Sequence, residues 1–142
     1  MTIARLIAGR DAAVLTCNAA ASVREAVALL AERRIGALPV LRDGAVAGIF
    51  SERDVVYKLQ EHGPSVLDRT VGEVMTSPAV TVEPETEVLT ALGLMTRRRI
   101  RHLPVVRDGE MIGFVSIGDL VKNRIDQMAS ETEALRTYIQ TA

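Results

Sequence analysis

The chain has 142 residues, with 17 Lys or Arg against 18 Asp or Glu and a net charge of −1, which excludes the basic excess of a dedicated nucleic-acid binder. Its single cysteine, Cys17, excludes an intrachain disulfide and a multi-cysteine metal site and fits a reducing compartment, so a cytoplasmic protein is expected. No apolar run approaches the roughly 18 residues needed to span a membrane, the opening MTIARLIAGRD lacks the features of a signal peptide, and with aromatics at 3% and no Trp the core must be Val, Leu, Ile, Ala and Met.

Residues 2–9 are expected to form a short helix with Ile3, Leu6 and Ile7 on one face. Val14–Thr16 is a short apolar segment that reads as a strand. Ser22-Val23-Arg24-Glu25 is a capping-box pattern, and Val23, Ala26, Val27 and Leu30 follow at helical spacing to about Arg34. Residues 38–41 and 45–50 read as strands around Asp43-Gly44, a strong two-residue hairpin signal. Ser51 opens a second helix, which Gly63-Pro64 ends. Residues from His62 to about Arg69 read as a link, and Thr70-Val71-Gly72-Glu73 as a capping box for a turn of helix ending near Met75. The order then repeats. A strand is expected near Val80, a helix from about Thr86 (its cap) to Arg99, and strands at 103–107 and 111–115 around Asp108-Gly109. The last helix starts at Ser116 and extends toward Ile139. Its stripe of Ile117, Leu120, Val121, Ile125, Met128, Leu135 and Ile139 is long enough to pack partly on a second chain.

Residues 33–55 and 98–120 align at a constant offset of 65 with no gap, and 12 of 23 positions are identical. That is one folding unit duplicated rather than a solenoid repeat. The expected fold is mixed α/β (α+β), with two β-α-β-β-α units at 13–62 and 76–125. An N-terminal helix lies in 1–12, a linker and short helix in 63–75, and a C-terminal helix extension in 126–142. Units of about 60 residues would each be marginal alone, so one shared core is expected. Duplicated units related by a pseudo-twofold axis have paired clefts, so binding residues are sought as pairs.

The first such pair is Gly48-Ile49-Phe50-Ser51-Glu52-Arg53-Asp54 with Gly113-Phe114-Val115-Ser116-Ile117-Gly118-Asp119. A helix start offers unpaired N–H groups to an anion, and an Asp one turn in can accept from two vicinal hydroxyls, as acidic residues do with ribose in dinucleotide folds. Ser-x-x-Asp is equally a capping box that needs no ligand. The second candidate is the run Arg97, Arg98, Arg99, Arg101 and His102. Arg98 and Arg99 suit a helix C-terminus. Arg101 and His102 lie between helix and strand, where a loop can aim them at an anion; Gly36 and Ala37 hold the matching places in the first unit. No phosphate-binding glycine loop, metal-ligand spacing or catalytic triad order is present, and Cys17, in an apolar stretch, reads as buried rather than nucleophilic. No enzyme is expected.

Together these residues resemble the CBS domain, and the chain resembles a tandem pair of them, a Bateman module. The matching pieces are Arg-Ile-x-x-Leu-Pro-Val, the Asp-Gly hairpin, Gly-x-x-Ser-x-x-Asp, and Val74-Met75-Thr76 before the second unit. The match covers about residues 2–125 and looks most like small stand-alone bacterial proteins made only of this pair. The resemblance implies two units packed by their sheets about a pseudo-twofold axis, two clefts, and dimers shaped as a disc. It implies sensing rather than catalysis, with adenosine ligands such as AMP, ADP, ATP, S-adenosylmethionine or NAD(H). One cleft then takes Asp119, Ser116, Arg101 and His102, with Val14, Leu15, Ile35 and Ala37 around the base. The other takes Asp54 and Ser51, with Ala79, Val80, Ile100 and Thr76. The Asp119 cleft is expected to suit a nucleotide better, because Gly36 and Ala37 bring no charge.

The expected function is a non-enzymatic regulatory module that binds an adenine nucleotide, forms a homodimer and signals to an effector protein. The rival is a ligand-independent interaction or dimerisation module working through the C-terminal helix. Nucleic-acid binding through Arg97–Arg101 ranks lower, because the overall charge is acidic.

Overall fold

The computed structural model describes residues 1–10 and 13–141; Asp11 and Ala12, which close the expected N-terminal segment, and Ala142, which closes the C-terminal extension, lie outside the described residues. Three helices begin where a short polar side chain accepts from the first turn. Helix α1 (Ile3–Ile7) follows Thr2, whose hydroxyl accepts from the Arg5 N–H. Helix α2 (Val23–Arg33) follows Ser22, which accepts from Glu25 N–H. Helix α3 (Glu52–His62) has a complete capping box between Ser51 and Asp54. The remaining helices are α4 (Val71–Val74), α5 (Val88–Arg98) and α6 (Ile117–Thr141). None of the described helices is long and apolar enough to cross a membrane.

The strands of the first unit are β1 (Cys17–Asn18), β2 (Ala37–Arg42) and β3 (Ala45–Ser51), in the order β1-β2-β3 with β1 parallel and β3 antiparallel to β2. The second unit has β4 (His102–Arg107) and β5 (Glu110–Ser116), antiparallel. Both hairpins turn on an Asp-Gly pair at positive φ, the geometry that matches strand twist. Both shift register at the same place, Val40/Leu41 and Val105/Val106.

Four expectations change. The strand at Val14–Thr16 is replaced by β1 at Cys17–Asn18, and that near Val80 by a single parallel bridge, Val82 to Val105. Val14, Leu15 and Val80 instead line clefts. The link after α3 is a 3-10 helix, Gly63–Asp68, that buries Val66; Pro64 ends one helix and opens the next, since a first-turn proline costs no hydrogen bond. Glu87, not Thr86, holds the cap position of α5, and its carboxylate takes the Met1 ammonium at 3.4 Å.

The fourth change concerns the core, which forms two clusters rather than one. The first gathers Val23, Leu30, Leu38, Val40 and Phe50 with Val66, Val71 and Val74. The second gathers Val88, Met95, Leu103, Val105, Val115 and Leu120 with Ile3. Helix α1, at the start of the chain, therefore completes the second unit. Its Ile3 N–H donates to the Thr86 carbonyl at 2.9 Å, and the Val88 N–H donates to the Met1 carbonyl at 3.0 Å. Helix α4, just before the second unit, completes the first: Val71 N–H donates to Ala21 O at 2.8 Å and Gly72 N–H to Ala19 O at 2.9 Å. Each unit is too small to bury enough apolar surface alone, and each takes its missing part from the segment that precedes the other.

Two glycines at matching places admit these segments. A methyl group on Gly48 would lie 2.6 Å from the Thr76 carbonyl oxygen and 2.7 Å from the Met75 sulfur. One on Gly113 would lie 3.0 Å from Ile7 Cδ1. The first contact is with backbone that exchanges two hydrogen bonds with Ile49, each 2.9 Å, so it cannot yield cheaply. Gly48→Ala is expected to destabilise by about 1–3 kcal/mol, the range for overpacking, while Gly9→Ala, with open space around it, stays near neutral; urea unfolding of both variants checks the contrast.

Candidate functional site

Two clefts flank the pseudo-twofold axis, and each is walled by both units. One, of about 410 Å³, holds Ser51 and Asp54 from the first unit and residues 99–102 from the second. The other, of about 680 Å³, holds Ser116 and Asp119 from the second unit and residues 35–37 from the first. Both volumes lie in the range of small-molecule sites. Gly36 and His102 line both clefts and form the partition between them.

The two Ser-x-x-Asp sequences are caps and cleft walls at once. Asp54 Oδ2 accepts from the Ser51 N–H at 2.9 Å and its hydroxyl at 3.2 Å. Asp54 Oδ1 accepts from the Thr76 hydroxyl at 2.8 Å. Asp119 Oδ2 accepts from the Ser116 N–H at 2.9 Å and pairs with Arg10 Nη2 at 3.1 Å. Arg10 Nη1 donates to the Phe114 carbonyl at 3.1 Å. Arg10 thus does with one side chain what Thr76 does in the first unit with its backbone N–H, bonded to Ile49, and its hydroxyl, bonded to Asp54.

The fourteen residues that the resemblance placed in the clefts all line one, whereas Arg97 and Arg98 of the basic run are not among the lining residues. Ser116, Asp119, His102, Val14, Leu15, Ile35 and Ala37 come together in the larger one. Ser51, Asp54, Thr76, Ala79, Val80 and Ile100 come together in the smaller one. Arg101 departs from expectation, because it lines the Asp54 cleft and not the Asp119 cleft. It sits in the bend just before His102, the first residue of β4, and His102 in the partition lines both clefts. The supposed absence of charge in the Asp54 cleft is corrected with it. Gly36 and Ala37 indeed bring none, but the opposite unit supplies Arg99 and Arg101 to that cleft, beside Arg53.

Sequence reasoning also assigned Arg99 to the helix end alone. Arg99 is the C-cap of α5, left-handed at φ 54°, and it reaches the cleft from that turn. Arg10 and Tyr57 were missed. Arg10 stands ahead of the first unit roughly where Thr76 stands ahead of the second, but α1 and α4 are spaced differently from their units, so the constant offset of 65 hides the correspondence. Tyr57 follows Asp54 by three residues, one helical turn further on the same face. That spacing was available as a signal.

Electrostatics differ between the clefts. The Asp54 cleft carries three guanidinium groups, of Arg53, Arg99 and Arg101, against the carboxylates of Glu52 and Asp54. The Asp119 cleft carries Arg10 against Asp119, and the two are already paired. Burial alone would raise the Asp119 pKa, but the Ser116 N–H and the Arg10 guanidinium outweigh it and hold the carboxyl below its ordinary 3.8. Burial pushes His102 below its ordinary 6.5; Asp119 opposes that shift and Arg101 adds to it. The imidazole stacks on Phe114, centroids 5.4 Å apart and planes 13° from parallel. His102 is therefore a neutral partition near pH 7, not a fixed cation. Half-buried Cys17 has its thiol pushed up to about 11 by desolvation, which removes nucleophilic thiolate at neutral pH.

Two titrations check this arrangement. His102 is expected to titrate below 6.5 by NMR, and Asp119→Asn to move it lower still, since the carboxylate supports the imidazolium. A depressed histidine adds stability that is present above 6.5 and lost as pH falls through its folded value. Arg10→Gln is expected to raise the Asp119 carboxyl. That carboxyl, also depressed, adds stability present above 3.8 and lost on further acidification, so the variant should flatten the acid limb of the stability curve. An unchanged Asp119 titration in Arg10→Gln would contradict the ion pair.

Comparison with known proteins supplies an independent reading. The CBS domain family matches residues 10–61 and 71–126. The chain is 42% identical over 135 residues to the CBS domain-containing protein CBSX3, mitochondrial, of Arabidopsis thaliana, covering 92% of this chain and 66% of that protein's length. Its fold superposes on a CBS-domain containing protein from Agrobacterium tumefaciens with a TM-score of 0.82 at 34% identity, over 87% of this chain and 99% of that one. It also superposes on CBSX2 in complex with AMP, with a TM-score of 0.73 at 26% identity, over 89% and 98% of the two chains.

Proposed function

The chain belongs to the CBS-domain family as a tandem pair, and from that premise we propose that it is a non-enzymatic regulatory module whose Asp54 cleft binds an adenine nucleotide of the AMP, ADP or ATP type. The observation that carries the proposal is the meeting of Asp54 with Arg99 and Arg101 across the unit boundary in one partly apolar cleft. Asp54 accepts from the ribose hydroxyls, the guanidinium groups take phosphate, and Ala79, Val80 and Ile100 surround the base. Arginine suits the phosphate role because its fork of donors fits phosphate oxygens. The AMP held by CBSX2 supports the same ligand class; NAD(H) and S-adenosylmethionine are the alternatives within it.

A ligand bridging two units signals only if it binds one of their arrangements better than another. In this reading the nucleotide sets the angle between the units, and an effector protein reads it. The Asp119 cleft is the weaker phosphate site, since its one guanidinium is committed to Asp119. A homodimer in the cytoplasm completes the proposal, supported by the exposed apolar residues Ile125, Met128, Leu135 and Ile139 of α6. The same residues favour the second reading, an interaction module that works through that helix whether or not the clefts are filled.

A thermal-shift panel of AMP, ADP, ATP, NAD, NADH and S-adenosylmethionine identifies the ligand, because binding to the folded state alone raises the melting point. For the responding nucleotide, Arg101→Ala is expected to weaken affinity by about 10-fold or more, the loss of a charge-assisted hydrogen bond. Asp54→Asn should weaken it more than Asp119→Asn. No shift with any adenosine compound would favour the interaction module, and a larger effect of Asp119→Asn would move the site to the other cleft.

A further inference from the structure

Helix α6 carries an apolar seam that its own unit leaves uncovered. The helix faces its unit with Leu120, which is buried, and with the partly buried Arg124 and Gln127. Beside that face, at spacings of 4, 3, 4, 3 and 4, run Val121, Ile125, Met128, Thr132, Leu135 and Ile139. These sit one residue on, about 100° around the helix. They are exposed, Ile125 at 60%, Leu135 at 60% and Ile139 at 64%. Every described residue from Met128 to Thr141 is exposed, so the last turns project beyond the body. Intramolecular packing therefore accounts for one face of α6 and not for the seam.

The spacing is the heptad of a coiled coil. Ile125, Thr132 and Ile139 fall at the a positions, all β-branched, and Val121, Met128 and Leu135 at the d positions. Ile139 at a with Leu135 at d follows the pattern that favours two parallel strands. The flanking charges agree. Glu131 is at g and Arg136 at the following e, the two positions that meet across a parallel, in-register dimer, so two opposite-charge pairs form by symmetry. The exposed stretch from Met128 to Thr141 would be marginal as a free helix in water, but α6 is already nucleated by its Ser116 cap and its packing on the second unit.

We propose that the partner of this face is a second copy of the chain, and that the two α6 helices zip in parallel from Val121 toward Ile139 with the two bodies at one end. The proposal rests on the homodimer reading above and is independent of whether a nucleotide binds. Sedimentation equilibrium of the full chain at micromolar concentrations is expected to give a dimer. Leu135→Asp is expected to halve the mass while leaving the melting point of the body and its nucleotide shift in place, because Leu135 touches neither. Glu131→Arg should weaken the dimer, and adding Arg136→Glu should restore it. With Cys17→Ala, Ile139→Cys should form an interchain disulfide when an added oxidant such as diamide takes up the two electrons and two protons of the thiols, since parallel, in-register helices bring both copies of position 139 together. A monomeric wild type would overturn both the homodimer and the seam. A dimer that survives Leu135→Asp would overturn the seam alone, and a dimer lost in Leu135→Asp without cross-linking at 139 would overturn the parallel orientation.

Discussion

The structure depends on two close approaches of a neighbouring segment to glycine. At Gly48, residues Met75 and Thr76 lie where a side chain would be, and at Gly113 the Ile7 side chain does. These contacts let each half of a duplicated sequence borrow a segment from in front of the other half. The borrowing is what makes two marginal units a single folding entity, because neither core closes without a residue from outside its own repeat: Ile3 in one, Val71 and Val74 in the other. The floor of each cleft follows from the same arrangement. Thr76 reaches Asp54, and Arg10 reaches Asp119, only because the segments that carry them cross over.

Duplication followed by divergence of those segments explains why the clefts are alike in plan and different in chemistry. The Ser-x-x-Asp turn is the same in both, down to the N–H of the serine donating at 2.9 Å to one carboxylate oxygen. A threonine hydroxyl in one place and a guanidinium in the other leave one aspartate paired with a neutral group and the other with a charge. Across the pseudo-twofold axis, Arg99, Ile100 and Arg101 line the cleft of the first aspartate, whereas Ile35, Gly36 and Ala37 line that of the second and bring no charge to it. Positive charge is therefore concentrated at the Asp54 cleft, and the neutral imidazole of His102 divides the two. In the proposed reading this asymmetry selects where a phosphate goes, and α6, which starts at the Asp119 cleft and ends in the exposed seam, joins cleft and dimer in one element.

Much of this was legible in the residues. The offset of 65, the Asp-Gly turns and the Ser caps located every hairpin and every long helix, because each depends on local chemistry. The cleft membership of Asp54, Asp119, Val80, Ile100, Val14 and Ile35 followed from the repeat once the family resemblance was drawn. What failed was non-local. Nothing in the sequence shows that α1 belongs to the unit 80 residues away, so two cores were taken for one. Arg101 and His102 are adjacent in the chain, and adjacency suggested a common place in the Asp119 cleft, whereas His102 stands in the partition and lines both clefts and Arg101 lines the Asp54 cleft alone. Arg10 was invisible for the same reason as α1: its partner, Asp119, is more than a hundred residues away.

The central claim is that the crossing of the two halves makes the Asp54 cleft the nucleotide site. The most direct measurement is an AMP titration followed by methyl NMR of Val, Leu and Ile residues, which lie in both clefts and need no mutation to report. The account predicts that the Val80 and Ile100 methyls shift first and saturate at the lower concentration. Earlier movement of Val14, Leu15 and Ile35, with Val80 and Ile100 still at their free positions, would contradict it.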